Sequence, residues 1–201
     1  MTSTGNVHAI DVLIGRAALS SATANKLGQV HDLIVDPAKG EMRGISIRMG
    51  DESLRFVDYQ DISSFGSDAV MIKDVESAIR AQDSPLKALP LARHNLIRVK
   101  VVTEGGKLVG QIANVYMHLA ETLVLIYEVR SSVLDKLLGH ALFFPASKGR
   151  ALSQDGARLV VANDAAETAD HSLEGLVTRM FGPQREEGPV VTVRSRGHEA
   201  K

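Results

Sequence analysis

The sequence predicts an all-β fold of two small barrels in tandem, with short helical insertions and an amphipathic helix near the C-terminus. Three observations predict it. A β-hairpin pattern occupies residues 26–48, and the same apolar pattern returns over residues 110–130. The interior must be aliphatic, because hydrophobic residues make up 44% of the chain but aromatic residues 4%. With 201 residues, the chain is long enough for one large or two small domains.

The first hairpin begins with an apolar, β-branched-rich run over residues 30–35, which is interrupted by His31 and Asp32. Residues 36–40 (DPAKG) have the composition of a turn, because proline presets φ and glycine accepts a positive φ. After the turn, Ile45 and Ile47 alternate with small or polar residues, which is the period of a half-buried strand.

When the sequence is laid on itself so that Gly28 meets Gly110, this hairpin falls on residues 110–130, and the apolar positions coincide without a gap. We interpret the coincidence as an internal duplication. The alternative is a chance likeness between two apolar hairpins of similar length. The second hairpin lacks the turn chemistry of the first, and Asn114 replaces Asp32. At the turn itself, Asp36, Pro37 and Gly40 are replaced by His118, Leu119 and Thr122.

The remaining elements of the first unit follow in order. Residues 54–57 and 69–72 are predicted strands, and residues 58–64 are predicted to hold a single helical turn. Asp74 is expected to cap a short helix from Val75 to about Ala81, because its carboxylate can accept hydrogen bonds from unpaired backbone N–H groups. Residues 83–95 contain two prolines and are predicted to form a linker that its leucines pack in part.

The second unit is predicted to contain strands at residues 99–102, 142–144 and 158–162 besides its hairpin. Ser132–Asp135 is typical of a capping box, so a short helix is expected through Leu138, ending at Gly139. The first unit has no counterpart of this helix. A further short strand is expected near residues 190–193.

Residues 11–15 (DVLIG), 26–36 (KLGQVHDLIVD), Gly40 and 56–62 (FVDYQDI) resemble the PRC-barrel domain, which is named for the cytoplasmic part of the photosynthetic reaction-centre H subunit. The resemblance covers most of residues 9–75. On this basis residues 9–82 form a first PRC-like barrel, 83–95 a linker, 96–164 a second, divergent barrel, and 165–201 an amphipathic helix and tail.

The resemblance implies a non-catalytic interaction or adaptor protein. PRC-barrel proteins dock on other assemblies: a membrane electron-transfer complex for the H subunit, and ribosomal components for the RimM maturation factor. We expect a prokaryotic, cytoplasmic adaptor that docks on a protein complex. The candidate complexes include membrane-associated and electron-transfer complexes. Self-association of the chain is left open. The alternative is a ribosome- or RNA-associated assembly factor of the RimM type. Four arginines clustered on one surface would favour it: Arg43, Arg48, Arg55 and Arg130.

The C-terminal region supplies the candidate partner-binding residues, which have the i, i+3, i+4, i+7, i+8 spacing of one helix face. They are Leu173, Leu176, Val177, Met180 and Phe181. This face either docks on the chain's own barrels or contacts a partner protein or a membrane. His171, Glu174 and Thr178 make the membrane alternative weaker, because membrane-surface helices are usually rich in lysine and arginine.

No pattern in the sequence predicts a catalytic, metal or cofactor site. The chain has no cysteine and no GxSxG or HExxH motif, so we expect a non-enzyme without metal or cofactor. Residues His31, Asp32 and Asp36 suggest a metal or acid–base site, but neighbours on a strand point to opposite faces, so we favour a polar strand edge. A ligand-binding barrel would need a deep polar pocket, which the sequence does not supply.

Two further clusters have ordinary interpretations. Glycines 105, 106 and 110 fit no phosphate-binding loop and are predicted to be turn residues. The acidic cluster of Asp51, Glu52, Asp58 and Asp61 is predicted to be a solvated face.

The net charge of −1 argues against nucleic-acid binding. The longest apolar run, residues 123–127, is far too short to span a bilayer, and the N-terminal residues lack the pattern of a signal peptide.

Overall fold

The computed structural model describes residues 7–118, 123–131, 140–182 and 191–192, and most of its regular structure is β-strand. The strands are β1 Val7–Ala9, β2 Ala17–Ser20, β3 Lys26–Asp36, β4 Glu41–Arg48, β5 Leu54–Asp58, β6 Ile62–Phe65, β7 Ala69–Ile72, β8 Ile79–Arg80, β9 Lys100–Thr103, β10 Leu108–His118, β11 Val124–Arg130, β12 Leu142–Pro145, β13 Gly149–Leu152, β14 Arg158–Val161 and β15 Val191–Thr192. Helix α1 spans Leu173–Phe181, and short 3₁₀ or π-helical turns span Ile10–Val12, Tyr59–Asp61, Pro85–Ala88, Ala92–Leu96, Ala146–Lys148 and Asn163–Ala165. The predicted mostly-β fold is confirmed.

The strands form two sheets with the same internal order. The first sheet runs β15-β6-β7-β2-β3-β4-β5-β8, and the second runs β13-β14-β9-β10-β11-β12, with β1 added on β10. When β15 and β8 are left out, the strand order of the first sheet matches the strand order of the second sheet at every position. Each sheet contains one parallel pair at the same place, β2 with β7 and β9 with β14.

The two long hairpins also share their register. Gln29 pairs with Arg48 in the first hairpin. Gln111 and Arg130, which lie 82 residues later in the chain, pair in the second. Both hairpins then shift register by one residue, before Asp32 in β3 and before Asn114 in β10. Such a bulge bends the strand and re-aims the side chains next to it.

The β3–β4 turn is built as predicted. The carboxylate of Asp36 accepts hydrogen bonds from the backbone N–H groups of Ala38 and Lys39, and Gly40 has a φ of 69°. The corresponding turn of the second hairpin includes residues 119–122, which lie outside the described residues.

Each sheet bends until its outer strands approach each other. The 3₁₀ turn Tyr59–Asp61 joins β5 to β6, which lie at opposite ends of the strand path that the two sheets share, and Ala146–Lys148 does the same for β12 and β13. Among the described strands, no hydrogen-bonded ladder joins β5 to β6 or β12 to β13. The predicted closure into barrels is therefore not seen. The edges of the first sheet are covered instead by the short strands β8 and β15.

One continuous core fills the space between the sheets. Its largest fully buried side chains include Leu33 and Ile45 from the first sheet, and Tyr127 and Phe144 from the second. Most of its other members are valine, leucine and isoleucine, so the predicted aliphatic filling is confirmed. Burial of this apolar surface is the main stabilising contribution, and it is shared by both units.

The two units exchange their leading segments. β1 precedes the first sheet but pairs with β10 of the second, where Ala9 faces Tyr116. In the same way Leu91, which precedes the second sheet, forms a bridge to Ile34 of β3, and the turn Ala92–Leu96 packs on that strand. Residues 83–95 thus do more than link the units, because their last part belongs to the packing of the first sheet.

The outer faces of the two sheets are also covered in parallel ways. Leu86 packs with Ile34 and Phe56 on the first sheet, and helix α1 packs on the outer face of the second. Among the six strands that the two sheets have in common, β7 and β14 come last along the chain, and each covering segment follows one of them. The predicted partial packing of the linker is confirmed.

One predicted helix is wrong and another cannot be assessed. Asp74 accepts hydrogen bonds from the N–H and hydroxyl of Ser77, at 2.8 Å each, but this closes a turn and no helix follows. The chain instead forms β8, where Arg80 pairs with Arg55. A helix of two turns is marginal in isolation. The backbone of residues 79 and 80 instead forms hydrogen bonds with the edge of β5. The predicted helix over residues 132–138 lies outside the described residues.

The β3–β4 turn contacts the segment after β12, and two glycines allow this approach. A Cβ on Gly149 would lie 2.0 Å from the carbonyl oxygen of Pro37, and a Cβ on Gly40 would lie 2.2 Å from the carbonyl carbon of Ala146. Backbone meets backbone at both positions, so neither contact can be relieved by moving a side chain.

We predict that Gly149→Ala destabilises the whole chain by about 1–3 kcal/mol, the usual cost of overpacking, because its methyl group would force the β3–β4 turn away from the second sheet. The measurement is urea unfolding followed by circular dichroism. Gly50→Ala is the matched control, since a Cβ there meets nothing within 4 Å. Equal midpoints for the two variants would contradict the assigned contact.

Candidate functional site

The structure places the five predicted partner-binding residues on α1 and divides them into two groups. Leu176 and Val177 are each 1% exposed and pack on Ile126 and Phe143 of the second sheet, with Leu173 half-buried beside them. Met180 and Phe181, at the end of the helix, are 36% and 37% exposed. The first part of the face therefore docks on the chain's own sheet.

The helix is fixed at its beginning and supported at its end. The hydroxyl of Ser172 accepts a hydrogen bond from the N–H of Gly175, which caps the first turn. The ring of Phe181 stacks on buried His118, with centroids 4.1 Å apart and planes 9° apart. Phe181 is thus held in place while more than a third of its surface faces solvent.

A second cluster, which the sequence interpretation missed, is centred on Asp32. This side chain is 0% exposed, and its carboxylate accepts hydrogen bonds from the backbone N–H groups of Leu33 at 2.7 Å, Arg93 at 3.0 Å and His94 at 3.0 Å. Nδ1 of His94 lies 2.6 Å from the second carboxylate oxygen. The predicted polar strand edge is wrong for Asp32, which is fully buried and holds the turn Ala92–Leu96 on β3.

His31 joins this cluster because of the bulge in β3. Its ring centroid lies 4.6 Å from that of His94, and Arg48 donates a hydrogen bond to its Nδ1 at 3.0 Å. Arg48 also pairs with Glu52. Burial, and then the positive charges of His94 and Arg48, lower the pKa of His31 below 6.5, so the neutral ring that accepts from Arg48 is favoured.

The arrangement of Asp32 and His94 resembles an acid–base pair, but its geometry is structural. Both carboxylate oxygens are occupied by the backbone of the neighbouring turn, and a group so engaged has no direction left from which to accept a substrate proton. Asp36 lies apart, in the β3–β4 turn. Within the described residues no three histidine or acidic side chains lie close enough to hold a metal ion.

The equivalent position of the second sheet uses different chemistry. Asn114 accepts from the N–H of Val115 at 2.8 Å, as Asp32 accepts from Leu33. The buried charge there is Glu128, which is 3% exposed and accepts hydrogen bonds from Tyr116 at 2.9 Å and Arg130 at 2.7 Å. Burial, and then the charge of Glu128, raise the pKa of Tyr116 to about 12, so its hydroxyl remains a donor.

Two surface clefts lie where the leading segments meet. A cleft of about 400 Å³ is lined by Asp11, Arg93, His94 and Asn114 among others, and Arg93 Nε lies 3.6 Å from an Asp11 carboxylate oxygen within it. A neighbouring cleft of about 350 Å³ is lined by residues 95, 97–100 and 156–158. Both are open to solvent, and neither is the deep interior pocket that a ligand-binding barrel requires.

The other sequence-based clusters do not form sites. In the predicted acidic face, Glu52 pairs with Arg48, Asp61 with Lys73, and Asp58 accepts from a backbone N–H. Gly106 has a φ of 82° in the turn after β9, as expected of a turn residue.

Three of the four arginines that would favour RNA binding have separate roles, and no contact among the described residues assigns one to Arg43. Arg48 contacts His31, Arg55 donates to the carbonyl of Ala78, and Arg130 pairs with Glu128.

Comparison with known proteins supports part of the resemblance. A family model described as the PRC-barrel domain matches residues 5–79, which span the first sheet from β2 to the start of β8. The second sheet lies outside the matched range, apart from β1. No curated protein matches the chain. Among the described helices, none has the length and apolar character needed to cross a bilayer.

We predict that Asp32→Ala destabilises the fold by about 3 kcal/mol or more, because it removes the buried carboxylate that accepts from the N–H groups of Leu33, Arg93 and His94. Asp32→Asn keeps one acceptor oxygen and should cost about half as much. Urea unfolding measures the loss. Amide hydrogen exchange at residues 93 and 94 should accelerate more than elsewhere. Asp83→Ala, at an exposed position, is the control; unchanged exchange in Asp32→Ala would refute the role assigned to Asp32.

We predict that stability falls as the pH drops through the region below about 6.5, the ordinary pKa of histidine. The folded state disfavours the proton on His31, so the unfolded chain binds more protons in this window and folding loses stability. His31→Gln should flatten the profile of unfolding midpoint against pH. His171→Gln, at an exposed position, should leave the profile as it is, and an equal change in both variants would contradict the prediction.

Proposed function

We propose that this chain is a non-catalytic interaction module that docks on another protein. The observation that carries the proposal is the match of residues 5–79 to the PRC-barrel domain, a type of domain that generally mediates protein interactions. The complexes we consider first are prokaryotic, cytoplasmic assemblies, including those attached to membrane or electron-transfer complexes. Fold alone does not fix a function, so the contacts of the chain must supply the rest of the argument.

The buried charges support a non-catalytic role. Asp32 holds the turn Ala92–Leu96 through two backbone N–H groups, and Glu128 is neutralised by Arg130 and hydrogen-bonded by Tyr116. Each of these buried carboxylates therefore has a structural function. A catalytic carboxylate would be expected to face a cleft with an oxygen available to a substrate.

The docking surface that we propose is the exposed end of α1, formed by Met180 and Phe181. Aromatic residues and methionine are enriched at protein interfaces, and an aromatic ring already held by stacking loses little conformational entropy on binding. The three preceding residues of the predicted face, Leu173, Leu176 and Val177, anchor the helix instead.

We infer that the second sheet is a divergent second copy of the first. The same strand order, the same register at equivalent positions of the two hairpins, and the reciprocal exchange of leading segments support this duplication. Chance similarity of two apolar hairpins would account for the hairpins but not for the matching parallel pair in each sheet.

We predict that Met180→Ser with Phe181→Ser reduces recovery of the bound protein at least about tenfold, because removal of two central apolar contacts typically costs more than about 1 kcal/mol each. The measurement is quantitative affinity co-purification from native lysate, in parallel samples with and without nuclease. Because Phe181→Ser also removes the stacking on His118, the recoveries are compared at a temperature at which thermal unfolding shows parent and variant to be folded.

The matched control is Leu108→Ser with Val75→Ser, which removes exposed apolar side chains elsewhere on the surface. Recovery unaffected by the α1 variant, or reduced equally by the control, would reject the docking surface. Recovery of ribosomal components that disappears with nuclease would support the RNA-associated alternative.

A further inference from the structure

The two sheets differ at the first residues of their parallel strand pairs. Ala17 faces Ala69 at the start of the β2–β7 pair, whereas Lys100 faces Arg158 at the start of the β9–β14 pair. Both cationic side chains are exposed. Like charges at directly facing positions destabilise a sheet, and the first sheet shows that alanines satisfy the same strand pairing.

A third cation lies at a strained position beside this pair. The N–H of Arg98 donates to the carbonyl of Ile112 at 2.8 Å, just as the N–H of Gly15 donates to the carbonyl of Val30 at 2.8 Å in the first unit. Both residues have left-handed backbone conformations, with φ of 73° for Arg98 and 87° for Gly15. An arginine thus occupies a position where glycine is the unstrained choice. Side chains held in this way are often found at functional sites.

These three cations meet in one cleft. Arg98, Lys100 and Arg158 line the cleft of about 350 Å³, together with Asn95 and the backbone of residues 156–157. Ile97 and Arg98 also line the neighbouring cleft of about 400 Å³, so the two clefts adjoin at these residues.

Among the residues that the structure describes, no ion pair neutralises the charge in this cleft. In the part of the chain that the structure describes, Arg150 and Arg179 form ion pairs, but none is formed by Arg98, Lys100 or Arg158. The neighbouring carboxylate, Asp155, accepts hydrogen bonds from Ser153 Oγ at 2.5 Å and from the N–H of Ala157 at 3.0 Å. It therefore stabilises chiefly its own turn, and the charge of Arg158 is a lesser cause, after these hydrogen bonds, of the lowered pKa of Asp155.

We propose that Arg98, Lys100 and Arg158 form a binding site for a small, soluble, phosphate-bearing anion. Guanidinium groups present paired N–H donors that match phosphate oxygens, and a lysine ammonium adds a compact charge. A bound phosphate group would remove the repulsion between Lys100 and Arg158, so their unfavourable placement is offset when the ligand is present. Asn95, at the edge of the cleft, adds an amide for specificity. The site is independent of the docking surface on α1.

The test is titration of the full chain with pyrophosphate, followed by isothermal calorimetry at low ionic strength. The variant Arg98→Gly with Lys100→Ala and Arg158→Ala installs the residues that the first unit carries at the equivalent positions, so we expect it to fold. It should weaken pyrophosphate binding at least about tenfold, because each charged hydrogen bond contributes substantially. Without ligand its melting temperature should be higher than that of the parent, and pyrophosphate should raise the melting temperature of the parent alone.

The matched control is Lys26→Ala with Lys39→Ala and Lys107→Ala, which removes the same charge from exposed positions outside the clefts. Equal loss of binding in this control would show that net charge attracts the anion and would overturn the site. Undiminished binding by the cleft variant would overturn it too. Binding to vesicles that contain an anionic phospholipid, without binding to free pyrophosphate, would replace the soluble ligand by a membrane surface.

Discussion

Each long strand of this protein depends on backbone that comes from the other unit. The bulges in β3 and β10 bend the strands so that part of each edge faces the opposite leading segment, and Leu91 and Ala9 pair there with Ile34 and Tyr116. Unpaired backbone groups at such buried positions would be costly, so the exchange ties the sheets together. One apolar core results, and loosening either leading segment weakens both sheets.

The features that could be predicted from the sequence are local. The hairpin at residues 26–48, its turn at Asp36–Gly40 and the helix Leu173–Phe181 all follow from short-range periodicity and turn chemistry. The return of the hairpin pattern over residues 110–130 was also visible, because equal registers keep apolar positions aligned. The helix that carries the candidate docking residues was predictable from the same short-range periodicity.

The features that could not be predicted depend on residues far apart in the chain. Asp32 is bound by Arg93 and His94, which come much later in the chain, in a segment whose prolines suggest a linker. The alternation rule placed His31 and Asp32 on opposite faces, but the bulge lets both meet His94. The cluster of Arg98, Lys100 and Arg158 could not be predicted from the sequence for the same reason, because Lys100 and Arg158 become neighbours only through the parallel pairing of β9 with β14. At Asp74 the local signal was present but the predicted helix was not. Its carboxylate accepts the hydrogen bond expected of a helix cap, but the chain forms only a turn there.

The different roles of the two outer covers explain why α1 leaves an exposed end. The segment that covers the first sheet must also deliver Leu91 to Ile34 and then enter β9, so it stays irregular and close to the sheet. The cover of the second sheet forms no bridge to the other sheet within its own length, because β15, which pairs with β6, begins only at Val191. It forms a regular helix of nine residues, about 13 Å long. Leu176 and Val177 meet the sheet in the middle of this length. The last turn reaches beyond the packed region to Phe181, which rests on His118 and faces solvent. One helix thus combines a core-forming face with a rigidly held apolar tip, and this rigidity is what supports the docking surface that we propose.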